Sequence, residues 1–465
     1  MSTPSATSGR VAAARRARGA ALSAVASFLE KGAQTAVLVT SVPLCLGFLG
    51  REKYGAWMTL GSLTYIVAFG DFGLGNGLLN ALSAANGRDD RESARVAISN
   101  GLAMLLLIGA LVLGASLAFG TWVDWRAVLA VTGVERQEFD AAALVLLSCV
   151  ALGIPIGVAQ RVRVAYQRGY VQSAWSILGH CSSLAALWIA VRWHAPLLGF
   201  VLATTGTSVC AQAANAAVLA WKHPELRPKL RDLQPGHMRA LAQTGAGFFV
   251  LQICSVLMFN FDNIVIARSL GVGAVANYSV AARVAALIPV GVGLILTPLW
   301  PAYGEAAARG DWDWVRGTLR RSLTVVTVSM VPAVCVMVAL GPSAVELWTS
   351  ARVHVDRALV IALSAQVAVT SLAIPLSVGM NGLNALRVQV LLAIPQTLAA
   401  VALKVWSVGR FGVWAVPAST AICQMVLWNL PAWLLLPSIV RRVCAGDGRI
   451  RGELTDHRDS AARCA

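Results

Sequence analysis

Twelve apolar runs, most of them about 20 residues or longer, follow one another between Ala21 and Val440, joined by short polar connections. A hydrocarbon core about 30 Å thick needs roughly 20 residues of helix, and backbone in lipid must be hydrogen-bonded within its own segment. The pattern therefore dictates an all-α polytopic membrane protein. Hydrophobic residues make up 57% of the 465 and charged residues only 13%, with a mean hydropathy of +0.67. That balance excludes a soluble globular chain with ordinary surface charge.

The runs cover roughly 21–48, 55–84, 94–119, 141–160, 173–193, 197–221, 240–268, 276–304, 319–341, 357–380, 389–408 and 414–440. With the N-terminus placed inside, 26 of the 38 lysines and arginines fall on the inner side, 10 fall outside, and Lys31 and Arg283 lie well within spans. The positive-inside rule then puts both termini in the cytoplasm, and a bacterial cytoplasmic (inner) membrane is the expected location. Although the net charge is +16, the arginines sit in short connections rather than on one basic face, which argues against nucleic acid. The outer connections, with Asp124, Glu135, Glu138 and Asp140, are short and acidic, leaving no room for a folded outer domain. Arg10, Arg15, Arg16 and Arg18 look like a signal n-region, but the long run after them holds Glu30 and Lys31, so an uncleaved first span is expected.

The longest inner connection, Lys222 to Arg239, contains Pro224, Pro228 and Pro235 and divides the spans six and six. The expected organisation is a basic tail (1–20), an N-terminal six-helix lobe (21–221), the connection (222–239), a C-terminal six-helix lobe (240–440) and a cytoplasmic tail (441–465), with a central cleft between lobes that rock about the connection. A shift of 221 residues lays Leu49-Gly50 on Leu270-Gly271 and Phe28 on Phe249, a faint internal repeat.

No G-x-x-x-x-G-K-[ST] loop is present, so the chain carries no nucleotide engine of its own. Gly70, Gly73, Gly75 and Gly77 follow an apolar helix rather than a strand, which makes them helix-breaking or close-packing glycines. Gly73 and Gly75, with Pro298 and Pro301 of the eighth span, are the candidate gating or helix-break positions. The cysteines show no CxxC or Cys/His spacing, and neither a metal nor a cofactor is predicted.

Ionisable residues inside spans are costly, roughly 3 kcal/mol at the membrane centre, and usually face a cavity or a partner. Lys31 lies about 13 Å of helix rise into the first span. Its neighbour Glu30 points about 100° away, and Gln34 extends the face of Glu30 by one turn. Arg283, Arg268 and Asp262 form a second candidate cluster, read either as a cationic site with acidic counter-ions or as a structural ion pair. Asp71 either caps a broken helix or binds a proton or cation, and His180 is a packing histidine or a proton relay. Asp356 and Lys404 fall near the outer interface and are expected to be solvated.

The stretches Asp71-Phe72-Gly73-Leu74-Gly75-Asn76-Gly77-Leu78, Asp262-Asn263-Ile264-Val265-Ile266-Ala267 and Thr297-Pro298-Leu299-Trp300-Pro301-Ala302-Tyr303-Gly304-Glu305-Ala306 resemble the polysaccharide transporter family. That family, which includes O-antigen and lipopolysaccharide flippases, belongs to the multidrug/oligosaccharidyl-lipid/polysaccharide exporter superfamily. The resemblance implies a secondary transporter or flippase, not an enzyme, that moves an undecaprenyl-diphosphate-linked oligosaccharide by alternating access. It also implies membrane lipid as a partner, with glycan polymerase and glycosyltransferases of the same pathway. Lys31 and Arg283 would then form the cationic substrate site, with Glu30, Asp71 and Asp262 as ion-coupling groups or counter-ions. Related lipid II flippases also carry a cation on the second span, which here has none before Arg88. Two other readings stay open: an ion-coupled multidrug exporter of the same superfamily, and a membrane-embedded glycan polymerase or glycosyltransferase.

Overall fold

Apolar chain in lipid closes its own hydrogen bonds most directly as helix, and among the described residues every regular element is helical. A computed structural model describes residues 6–67, 70–120, 122–123, 125, 134–259, 261–348 and 355–435. Asp124, Asn260 and the tail 441–465 lie outside the described residues. The helices α1 (Ala6–Val67), α2 (Leu74–Gly87), α3 (Arg91–Gly120), α4 (Arg136–Ile156), α5 (Val158–Ala165), α6 (Gly169–Arg192), α7 (Leu197–Val201) and α8 (Thr207–Lys222) lead to a connection with two short 3-10 turns. After it come α9 (Pro235–Phe259), α10 (Asp262–Leu270), α11 (Val272–Leu296), α12 (Leu299–Ala308), α13 (Trp312–Trp348), α14 (Arg357–Gly382), α15 (Leu386–Phe411) and α16 (Ala415–Gln424). Among the described residues, ten helical stretches are long and apolar enough to cross a membrane. This is the all-α polytopic class that the apolar runs demand.

Two compact units are present, one of Ala14–Ala246 and one of Met1–Ala13 with Gly247–Ala465. In the first unit, α1 differs from expectation, because helix runs on through residues 49–54, which the sequence makes a connection between spans. A straight helix would hold residues 37 and 61 about 36 Å apart. Yet Val37 and Gly61 line one cavity, and Phe48 and Trp57 both touch Phe200. The helix therefore doubles back between residues 41 and 57, and its two arms lie side by side as the sequence's first two spans.

The ends of this unit sort by charge. At one end the Tyr170 N–H donates to Ser23 Oγ at 3.2 Å, and the 86–91, 163–168 and 223–226 connections line one pocket. These belong to the connections assigned to a single side by their arginines. At the other end Lys53 pairs with Glu138 at 2.9 Å, and Glu138 also accepts the Leu197 N–H at 2.8 Å. Between the ends, Phe139, Ala142, Ala143 and Leu146 of α4 pack on Ala56 and Leu60 of α1 and on Leu197 and Val201 of α7.

The Lys222 to Arg239 connection is fastened rather than free. Asp232 receives Arg95 Nε at 2.7 Å, and the buried Asn100 of α3 donates to the Asp232 carbonyl at 2.9 Å while accepting the Gln234 N–H at 2.9 Å. The Lys229 N–H adds a bond to Ser99 Oγ. A segment held in this way is a strap on α3.

In the second unit the backbone breaks at Thr297–Pro298, between α11 and α12. Proline lacks an N–H and its ring crowds the preceding turn, so a break here follows from the residue. The resembling stretch that follows is core: Pro301 is buried, as are Tyr303 to Ala306, and Tyr303 packs among Leu319, Leu376 and Met380. A separate cluster joins Val265 and Ile266 of α10 to Tyr278, Ala281 and Ala285 of α11 and to Leu359 and Leu363 of α14.

Candidate functional site

A cavity of about 460 Å³ lies within the first unit, lined by Gln34, Thr35 and Ser41 of one arm of α1, Trp57 of the other, His180 of α6 and Thr204–Thr205. The two threonines sit where helix widens to a π-turn over Leu202–Gly206, and Thr204 Oγ1 donates to the Phe200 carbonyl at 2.9 Å. Such turns recur at functional sites because they displace side chains from regular helical register.

Lys31, one turn before Gln34 on α1, is bonded to this cavity's wall. Its ammonium is exposed and donates to Oε1 of the cavity-lining Gln34 at 2.9 Å, while Thr35 Oγ1 donates to the Lys31 carbonyl at 2.8 Å. The space beside it is open, since a Cβ added to Gly32 would meet nothing within 4 Å. Glu30 is half-buried on a different face. No carboxylate among the described residues pairs with Lys31.

The second cationic candidate, Arg283, lies in the second unit. Tyr278, Ala281 and Ala285 form the buried stripe of α11, which leaves Arg283 exposed on the opposite face. Asp262 belongs elsewhere, which corrects the sequence cluster. Its Oδ1 lies 2.6 Å from Lys404 Nζ and its Oδ2 accepts the Tyr278 hydroxyl at 2.6 Å. Neither Arg268 nor Arg283 joins it among the described residues.

Lys404, expected to be solvated, has a side chain 0% exposed, and that of Asp262 is 1% exposed. The ammonium also donates to the Met258 carbonyl at 2.5 Å, next to the point where α9 ends and α10 begins. Helix ending there frees carbonyls from intrahelical bonding, so a helix terminus and a carboxylate together satisfy one buried ammonium, while the Tyr278 phenol donates to that carboxylate. Sequence reasoning missed this lysine because its position is four residues from an estimated span end. The partner-seeking Asp262 was the available signal.

Asp71 holds the turn that precedes α2, whose cap is Gly73. Its Oδ1 accepts the Gly73 N–H at 2.9 Å and its carbonyl accepts the Leu74 N–H at 2.9 Å, in a turn where Phe72 and Gly73 both take positive φ. Arg161 of α5 lies 3.6 Å from its Oδ2 and donates to Asn76 Oδ1 at 3.1 Å. Gly75 permits this approach, since a Cβ there would sit 2.7 Å from Arg161 Nε. The second span, which has no cation before Arg88, thus receives a guanidinium from α5. Asp356 is exposed and caps α14.

Comparison with known proteins gives three results. A family profile described as "Polysaccharide biosynthesis protein" matches residues 17–306. The chain is 23% identical over 289 residues to the "Putative O-antigen export protein" of Yersinia pseudotuberculosis, covering 59% of this chain and 62% of that one. It is 22% identical over 291 residues to the "Putative O-antigen transporter" of Salmonella typhimurium, covering 62% and 65%. The chain thus spans less than two thirds of the length of these curated relatives. Among solved structures, the fold is similar to that of a Vibrio cholerae MATE transporter in the bent form, with a TM-score of 0.78 at 14% identity, covering 96% of this chain and 99% of that one.

Proposed function

This chain belongs to the polysaccharide biosynthesis protein family, and from that membership we propose that it is a flippase for an undecaprenyl-diphosphate-linked oligosaccharide. The cargo crosses the bacterial inner membrane by alternating access of the lobes 21–221 and 240–440, with both termini in the cytoplasm. The observation that carries this reading is Lys31, a cation without a carboxylate partner among the described residues, bonded to Gln34 of the wall of a cavity that mixes hydroxyls with apolar side chains. An unneutralised ammonium attracts a diphosphate, and the hydroxyls of Thr35, Ser41, Thr204 and Thr205 in the cavity are suited to sugar hydroxyls. Arg283 supplies a second exposed cation. Guanidinium geometry matches phosphate oxygens in pairs.

In this mechanism Asp262 and Lys404 neutralise each other and hold the second unit together, and Asp71 serves the turn before α2. Glu30 is the remaining group for proton coupling, and its half-buried carboxylate also favours the alternative of an ion-coupled exporter of cationic drugs. Glycan polymerase and glycosyltransferases of the pathway are the expected partners. Proteoliposomes carrying the purified protein test the proposal. Flipping of a diphosphate-linked oligosaccharide, slowed in Lys31→Ala and in Arg283→Ala and lost in the double variant, supports the flippase. Efflux of a lipophilic cation without flipping supports the alternative.

A further inference from the structure

We infer that the arginine-rich end of the first unit contains a phosphate-binding pocket built on Arg163 and Arg168. The inference rests on the flippase reading only for the identity of its natural ligand. The pocket has a volume of about 410 Å³ and is lined by the α2–α3 connection, the α5–α6 connection and the segment after α8. Arg163 lines it with only 6% of its surface exposed. A buried guanidinium without a counter-charge is costly, so its surroundings identify what it awaits.

Arg163 uses Nε on the Asn215 side-chain oxygen and Nη2 on the Asn215 carbonyl at 3.3 Å. The Asn215 amide is held in that orientation by donating to Gln172 Oε1 at 2.7 Å, and Gln172 in turn donates to Gln212 at 3.0 Å. Both partners of Arg163 are neutral oxygens of one residue. Among the described residues its Nη1 makes no hydrogen bond and no carboxylate pairs with it. A positioned cation remains available in the pocket.

Arg168 also lines the pocket and is oriented from behind. Its Nη1 lies 3.2 Å from His223 Nε2, and His223 Nδ1 lies 3.2 Å from Glu225 Oε1. An arginine can only donate, so Nε2 accepts, and the Nδ1 proton goes to Glu225. The pocket's carboxylates are already engaged. Asp90 accepts both the N–H and the hydroxyl of Ser93, Glu225 faces His223 and Arg91, and Asp89 has a partner of its own. Tyr166 lines the same pocket and is half-buried, and its hydroxyl makes no hydrogen bond among the described residues. Two guanidiniums and a phenol with donors to spare fit the oxygens of a phosphate or diphosphate ester.

The chemistry is shared by two sources, the diphosphate of a sugar-linked carrier and the headgroup of an anionic lipid, and the test separates them. Full-length protein in neutral detergent is titrated with inorganic pyrophosphate at constant ionic strength, and its melting temperature is also compared in nanodiscs of phosphatidylglycerol and of phosphatidylcholine. Saturable pyrophosphate binding, weakened about tenfold or more in Arg163→Gln and Arg168→Gln, supports the pocket with a diphosphate ligand. A phosphatidylglycerol-dependent rise in melting temperature that disappears in Arg168→Gln supports it with a lipid headgroup. Should Arg163→Gln fail to fold, the exposed Arg168 and the conservative Tyr166→Phe decide. Absence of both effects, or effects unchanged in these variants, overturns the inference. A failure to flip the oligosaccharide by protein whose Arg163- and Arg168-dependent pyrophosphate binding is intact counts against the flippase alone.

Discussion

The Lys404 ammonium lies 2.6 Å from the Asp262 carboxylate, a pair formed across 142 positions of sequence with both side chains withdrawn from solvent. Removing one member leaves a buried, uncompensated charge, whereas removing both leaves none. Lys404→Met should therefore destabilise the protein by about 3–5 kcal/mol, and Lys404→Met combined with Asp262→Asn should recover a large part of that loss. Thermal unfolding in detergent of the two single variants and the double variant measures the coupling. Additive losses would mean that the pair contributes nothing as a pair.

Gly75 is held small by the guanidinium that crosses it. Gly75→Val should push Arg161 off Asp71 and Asn76 and cost about 1–3 kcal/mol, the range for forced overpacking. Gly291, where an added Cβ meets nothing within 4 Å, provides the control. Gly291→Ala should leave the melting temperature unchanged or slightly raised. Equal effects at the two positions would contradict the packing account of Gly75.

Asn100 is fully buried and satisfies three backbone groups, the carbonyls of Val96 and Asp232 and the N–H of Gln234. Asn100→Ala strands polar groups of the strap, at a cost of about 1–3 kcal/mol. The connection carries Lys222, Arg227, Lys229, Arg231 and Arg239, so trypsin reports its release directly. Faster cleavage there in Asn100→Ala is expected, and an unchanged cleavage rate would mean the strap is held by other contacts.

The same strap has an acid-sensitive member. The Arg95 hydrogen bond lowers the Asp232 carboxyl below its ordinary value of 3.8. Because the folded value is depressed, the stabilisation is present above the ordinary value and is lost as pH falls through the folded one. Tryptic release, compared after brief incubation between pH 7 and pH values below about 4, should rise at the acid end. Asp232→Asn should flatten that dependence, and a dependence of equal steepness in this variant would assign it to other groups.

The helical membrane class and the glycine-rich break were legible because length and backbone chemistry act locally. Gly73 follows from the need for positive φ and the break at Pro298 from a missing N–H, each readable from a few neighbours. The partner of Asp262 was not readable, since it arrives from α15 and span-end counting placed Lys404 in solvent. Arg161 was likewise assigned to a connection by its charge, and only packing brings it against Asp71. The π-turn behind the cavity leaves no mark in the apolar pattern. Lys31 stood out because it breaks the apolar run, but the cavity beside it depends on α1 doubling back, which is a property of three dimensions.

Reconstituted flipping of a diphosphate-linked oligosaccharide, measured for the wild-type chain, Lys31→Ala, Arg283→Ala and the double variant at equal amounts of inserted protein, tests the central claim most directly. Loss of one charge-assisted contact to phosphate should slow flipping by about tenfold to a hundredfold, and loss of both should abolish it. Flipping by both single variants and the double variant at the wild-type rate would contradict the claim that these two cations receive the cargo.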